Sequence, residues 1–200
     1  MALLLTCNAG SHNTKLAAFD IARVERIAHT QTHHEAETLS WLCAMGQQPI
    51  AAIVHRFVHG GSQFTSPTLL TDEVLEDLTT LVPLAPLHQP TALHWVKECH
   101  KLYPNTPQIA CFDTAFHHQL PEREQLLPLP LEYHHKGIRR YGFHGLSYQS
   151  IVQQLPDILG AKADGNIIIA HLGGGSSACA LQQRRSVATT MGFSTLDGMM

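Results

Sequence analysis

The sequence predicts an α/β chain built around a mixed sheet, with helices set between single strands. Two observations carry this. An apolar run at residues 2–7 and another at 15–19 flank the polar cluster 8–13, which reads as strand, turn, strand. Later, apolar strand-like runs at residues 49–58, 108–112 and 166–172 alternate with segments of helical spacing. An early hairpin followed by separated strands and helices is the pattern of a mixed sheet.

The elements follow in order. Residues 35–45 predict a helix ending at Gly46. Residues 49–58 are β-branched and apolar and predict a buried strand. Thr71 is a capping candidate ahead of acidic residues and opens a helix over 71–81. A second helix covers 90–102, with Pro90 in its first turn. Residues 108–112 are a short strand and 147–155 a helix. Residues 166–172 predict a buried strand that runs into glycines. Residues 177–181 and 186–190 form a hairpin around 182–185. The proline-rich stretch 121–130 reads as a loop just after a domain boundary. No internal repeat or low-complexity segment appears.

Composition narrows the function. The chain has 200 residues, 44% hydrophobic, with a formal net charge of -3. That charge gives no electrostatic case for nucleic acid or an anionic membrane as partner. No apolar run approaches the ~20 residues of a membrane span, and residues 3–5 are too short for a signal sequence core. Five cysteines, without a CxxC pair, suggest neither a zinc ribbon nor a disulfide framework. A cytosolic, reduced protein is expected. Fifteen histidines stand out. Without HExxH or a spaced Cys/His set, solvated or hydrogen-bonded histidines are favoured over metal ligands.

Six motifs hold residue types suited to anion chemistry. The turn after Asn8, with Ser11 and then Lys15, offers N–H groups, a hydroxyl and a cation to phosphate oxygens. It equally suits an ordinary hairpin. HRFVHGG (55–61) places Arg56 among apolar neighbours, where a guanidinium needs an anion, either a ligand carboxylate or an internal one. LAPLHQP (84–90) holds His88 on a rigid turn between prolines. CFDTAFH (111–117) puts Asp113 just past the end of a strand, where ligands collect in α/β sheets and where an Asp can also cap a turn. RRYGFHG (139–145) joins two arginines to His144 between glycines, either an anion site or a basic surface loop. HLGGGSS (171–177) empties a strand into a glycine-rich turn with hydroxyls. It is neither a Walker loop nor a GxGxxG opening a helix.

In this order the motifs, followed by MGFSTLDGMM (191–200), resemble the acetate kinase family of acetate, propionate and butyrate kinases. That family belongs to the superfamily of sugar kinases, hsp70 and actin. The resemblance runs from Asn8 to Met200. It implies a ribonuclease H-like domain over 1–117, part of a second domain of the same superfamily over 118–200, and an active site between the two. It implies ATP and Mg²⁺ as cofactors, acetate or propionate as partner, and a homodimer for the full-length protein.

Carried over by residue, the resemblance implies that Asn8 positions magnesium and phosphate, with Ser11 and Lys15 near the nucleotide phosphates. Arg56 holds the substrate carboxylate, and Val58, Leu87 and Phe143 form an apolar pocket for its alkyl group. Asp113 is the essential acid. His88 and His144 line the phosphoryl path, with His144 stabilising the transition state. His171, Leu172, Gly173, Gly174 and Gly175 cradle ATP phosphates. A carboxylate is already a nucleophile, so catalysis rests on alignment and charge neutralisation. Asp113 is then an organiser, with a phospho-aspartate route as the alternative.

The chain departs from the family pattern at four places. His12, Asn13 and Thr14 stand where the family has Ser, Ser and Leu. Gly174 replaces a common asparagine, and Ser62–Gln63 follow HGG where an acid is usual. The segment before His55 is also shorter. Family members run to about twice this length, and the second half brings a further arginine, a magnesium-binding glutamate and the adenosine pocket. The 200-residue chain alone is therefore expected to bind carboxylate without turnover. A sugar kinase-like reading would require a base for an alcohol nucleophile.

Overall fold

The computed structural model describes residues 2–10 and 13–199. Ser11 and His12, in the first polar turn, lie outside the described residues. The chain divides into two compact units: unit 1 is Met1–Phe57 with Pro67–Cys111, and unit 2 is Val58–Ser66 with Phe112–Met200.

Unit 1 is organised by a six-stranded sheet in the order β3-β2-β1-β4-β6-β5. The strands are β1 (Leu3–Ala9), β2 (Thr14–Asp20), β3 (Glu25–Thr32), β4 (Ile50–Phe57), β5 (Thr68–Leu69) and β6 (Gln108–Phe112). β1 pairs antiparallel with β2 and parallel with β4, so the sheet is mixed as expected. Strict alternation fixes which face is covered. Leu3, Leu5 and Cys7 on β1, Leu16 and Ala18 on β2, and Ile53 on β4 point into one core. Helices α1 (Glu35–Met45) and α3 (Gln89–Leu102) cover it with Leu42, Trp95 and Cys99. Tyr103 locks the pair by donating its hydroxyl proton to the Leu42 carbonyl. Thr71 caps α2 (Asp72–Thr80) as expected, accepting from the Val74 N–H at 3.3 Å. Leu42 is fully buried. Leu42→Ala is therefore expected to cost unit 1 about 2–5 kcal/mol, read from the unfolding midpoint followed by tryptophan fluorescence.

Burial on the expected strand 49–58 is one-sided: Ile53, His55 and Phe57 are covered, while Val54 and Arg56 are half-buried. β3 was not expected. Its residues ERIAHTQT carry little apolar signal, and its place comes from antiparallel pairing with β2.

Unit 2 holds a three-stranded antiparallel sheet, β7 (Asn166–Leu172), β8 (Ser176–Gln182) and β9 (Arg185–Thr189), in that order. The β8–β9 turn places Gln183 and Arg184 at φ 51° and 61°, the two-residue geometry that matches strand twist. Helix α6 (Gly145–Leu159) packs Tyr148 and Leu155 against Ile169, Cys179 and Leu181. Two short helices, α4 (Glu122–Gln125) and α5 (Leu131–His135), lie in and just after the stretch expected to be a loop. The expectation of a buried strand at 166–172 is corrected: β7 is a sheet edge, with Ile168 78% and Leu172 73% exposed. All five cysteines are free thiols, and burial pushes the Cys99 thiol up to about 12. Among the described residues no helix is long and apolar enough to cross a membrane.

Candidate functional site

In unit 1 the polar residues expected to meet anions share one face of the sheet. The core takes the odd-numbered residues of β1, so Asn8 points to the opposite face. Register places Asn8 across from Lys15 on β2, and Cys7 beside His55 on β4. Arg56 is then one residue along from His55, and its Nη1 donates to Asn8 Oδ1 at 3.0 Å. Asn8 and Arg56 are half-buried and Lys15 is exposed. The result is a sheet surface carrying two cations, with one guanidinium oriented by an amide. His88 is the residue preceding α3, held by its N–H to the Ala85 carbonyl at 3.1 Å. Leu87 is 74% exposed.

In unit 2 three loops converge. Gly60 donates its N–H to Thr114 Oγ1 at 3.0 Å, and Gly145 donates to the Asp113 carbonyl at 2.9 Å. These bonds join HRFVHGG, FDTAFH and RRYGFHG. Asp113 follows β6 directly and is buried, as are Val58 and Phe143. His59 stands edge-on to Phe143 and Tyr141, at 5.6 and 4.5 Å between ring centres. Its Nδ1 accepts the Gly61 N–H at 2.9 Å, and burial lowers its pKa to about 4. His117, fully buried, bridges Ser186 Oγ at 2.8 Å and the Phe143 carbonyl at 3.1 Å. The loop that carries His144 is therefore anchored from both sides.

His144 has φ 60°, a left-handed conformation uncommon for a residue with a side chain, directly before the first residue of α6. The ring is held firmly. Nδ1 meets Ser177 Oγ at 2.8 Å, and Tyr148 bonds the same oxygen. The imidazole stacks on His171 with 4.0 Å between ring centres and 23° between planes. His171 Nδ1 in turn meets Ser147 Oγ at 2.9 Å. Gly175 lies beneath: a Cβ there would approach His144 Cε1 to 3.4 Å. Leu172, Gly173, Gly174 and Gly175 are exposed at the β7–β8 turn, so their backbone is open to a ligand.

Unit 2 thus brings together His144, His171 and the glycine turn, and separately Asp113, Val58 and Phe143 around the converging loops. Unit 1 brings together Asn8, Lys15 and Arg56. The two arginines expected to make an anion site with His144 are otherwise engaged. Arg140 donates to the carbonyls of Glu124 and Thr189, at 3.0 and 3.2 Å, and Arg139 lies over the Tyr141 ring at 5.1 Å. Sequence reasoning missed Ser147, Tyr148, Ser177, His59 and His117. Ser177 sits inside the HLGGGSS motif, and Ser147 follows His144 at helical spacing, so both had a legible signal.

A mixed six-stranded sheet in one unit and a three-stranded antiparallel sheet in the other define a two-unit α/β protein. A propionate kinase from Francisella tularensis superposes with a TM-score of 0.88 at 31% identity, covering 99% of this chain and 59% of that one. Acetate kinase from Porphyromonas gingivalis gives 0.84 at 27% identity, over 100% and 60%. These neighbours bear out the expected fold. A family model described as the acetokinase family matches residues 25–200. The chain belongs to the acetokinase family. It is 50% identical over 167 residues to the acetate kinase of Rhodopseudomonas palustris, covering 82% of this chain and 42% of that protein. It is 44% identical over 188 residues to that of Methylocella silvestris, covering 92% and 46%. The chain spans less than half the length of these curated relatives.

Proposed function

We propose that the chain supplies the acid-binding and part of the phosphate-binding machinery of a kinase that transfers the ATP γ-phosphoryl group reversibly to a short carboxylate such as acetate. The observation that supports this reading is the stacked His144–His171 pair at the exposed glycine turn of unit 2; within unit 1, Asn8 separately orients the Arg56 guanidinium. Each is an anion site of the kind this transfer needs.

Arg56 holds the substrate carboxylate, its fork fixed by Asn8. Val58 and Phe143, both buried in unit 2, favour an acid of two to four carbons. Burial raises the Tyr148 hydroxyl's pKa, so it stays protonated and donates to Ser177 Oγ. Ser177 then gives its own proton to His144 Nδ1, which leaves the ring proton on Nε2 to bond a phosphoryl oxygen. The His171–Gly175 turn of unit 2 receives nucleotide phosphates through its N–H groups, and phosphate binding is likewise the role proposed for Ser11 and Lys15.

Among the described residues no group of three carboxylate, histidine or cysteine side chains could hold a metal ion. Mg²⁺ keeps waters and takes phosphate oxygens with one or two carboxylates. Asp113 would be that carboxylate, and positioning magnesium is also the role proposed for Asn8. Bound magnesium supplies charge neutralisation between the phosphates. Residues 1–117 and 118–200 are the proposed domains.

The test supplies ATP, Mg²⁺ and acetate or propionate to the protein and traps acyl phosphate with hydroxylamine. Arg56→Ala is expected to raise KM for the acid by roughly tenfold to a hundredfold, the worth of a charged hydrogen bond. No hydroxamate with any short acid would overturn the kinase reading. Acetate binding that depends on Arg56, without hydroxamate, would favour binding without turnover.

A further inference from the structure

A second site lies in unit 1, apart from every residue named above as binding or catalytic. A cavity of about 650 Å³ opens between the β5–β6 edge of the sheet and helices α2 and α3. That volume is typical of a small-molecule site. Its wall is apolar, formed by Leu70, Leu75, Val96 and Pro107. Leu69, on the two-residue edge strand, is 55% exposed beside it.

Gln108 lines the cavity, but both ends of its amide are used. Oε1 bonds His55 Nε2 at 2.6 Å and Nε2 donates to the Val96 carbonyl at 3.1 Å. The Gln108 amide is therefore engaged, and the apolar wall offers hydrocarbon contact, with Asn105 and Thr106 also lining the cavity. The rim is basic. Lys97, His100 and Lys101 line it from α3, against a single carboxylate, Asp72. Lys101 is neutralised by Glu98 at 2.6 Å. Lys97 and His100 are exposed and three residues apart, on one helix face.

We infer that this cavity binds an amphipathic monocarboxylate, with its hydrocarbon chain along Leu75, Val96 and Pro107 and its carboxylate between Lys97 and His100. Burying a chain in this wall removes apolar surface from water, and the two basic groups select the charge of the head. The cavity is large for a two-carbon acid, so the ligand is a longer chain than the substrate proposed above. The inference is independent of that substrate.

Decanoate, titrated into the full chain below its micelle concentration, is the probe. The methyl resonances of Leu75 and Val96 are expected to shift saturably, and acetate at the same concentrations to leave them unmoved. Decanol should bind more weakly than decanoate. The double variant Lys97→Glu/His100→Glu, at two exposed positions that leave the fold intact, should weaken decanoate binding by about tenfold or more. Leu75→Glu should abolish it. Absence of saturable shifts at Leu75 and Val96 would overturn the inference, as would equal binding of decanoate by the double variant.

Discussion

Lowering the pH from 7 to 5 is expected to destabilise unit 2 more than unit 1. The cause is burial of neutral imidazoles. His59 and His117 in unit 2, and His55 in unit 1, are each at most 1% exposed. Burial lowers each pKa from 6.5 to about 4, for His117 against the upward pull of the Phe143 carbonyl and Asp113, and for His55 against that of Gln108. The unfolded chain binds these protons near pH 6.5 and the folded chain does not. Stability is therefore complete above about 6.5, falls as pH drops from 6.5 toward 4, and levels off below that. At pH 5 the loss is roughly 2 kcal/mol per histidine. Two such losses fall on unit 2 and one on unit 1, against a total stability of about 5–15 kcal/mol.

The two tryptophans, Trp41 and Trp95, both lie in unit 1 and report it selectively. Far-ultraviolet circular dichroism reports both units. The dichroism is expected to fall at a higher pH than the tryptophan emission changes. Coincident transitions, or stability unchanged between pH 7 and 5, would refute this account.

Gly145→Ala is expected to destabilise unit 2 by about 3 kcal/mol or more. A Cβ at Gly145 would stand 2.2 Å from the Asp113 carbonyl oxygen and 2.8 Å from Phe116 Cβ. The first of these is backbone and cannot swing aside. It is also the acceptor of the Gly145 N–H, so relief of the clash breaks the link between the Asp113 and His144 loops. Gly174→Ala is the matched control, since a Cβ there meets nothing within 4 Å. It should change the melting midpoint negligibly. On the proposed kinase reading, acyl phosphate formation by a protein that shows it is expected to fall with Gly145→Ala even below the melting temperature, because His144 loses its fixed position. A Gly145→Ala protein as stable as wild type would sink the clash argument.

How far the sequence reached differs by element. Glu35–Met45 and Gln108–Phe112 were legible to the residue because each carries its own local signal. The strand at Glu25–Thr32 was not, since its polar residues hold place through backbone pairing to β2. β7 was recognised as a strand but misjudged as buried. An isoleucine run states a preference for extended backbone, whereas coverage of its face depends on which elements pack there.

The candidate site divides in the same way. Residue types and their order pointed to Arg56, Asp113, His144 and the glycine turn as anion chemistry, because charge and backbone freedom are properties of single residues and short motifs. Tertiary structure decided which of them are oriented and by what. Asn8 turns Arg56 across a parallel strand pair, Ser177 reaches His144 from the far side of a hairpin, and Arg140 is committed to carbonyl oxygens. The surplus of histidines was visible in the composition. That three of them are buried and neutral was not, because desolvation is set by the whole packed environment and by no property of the histidine itself.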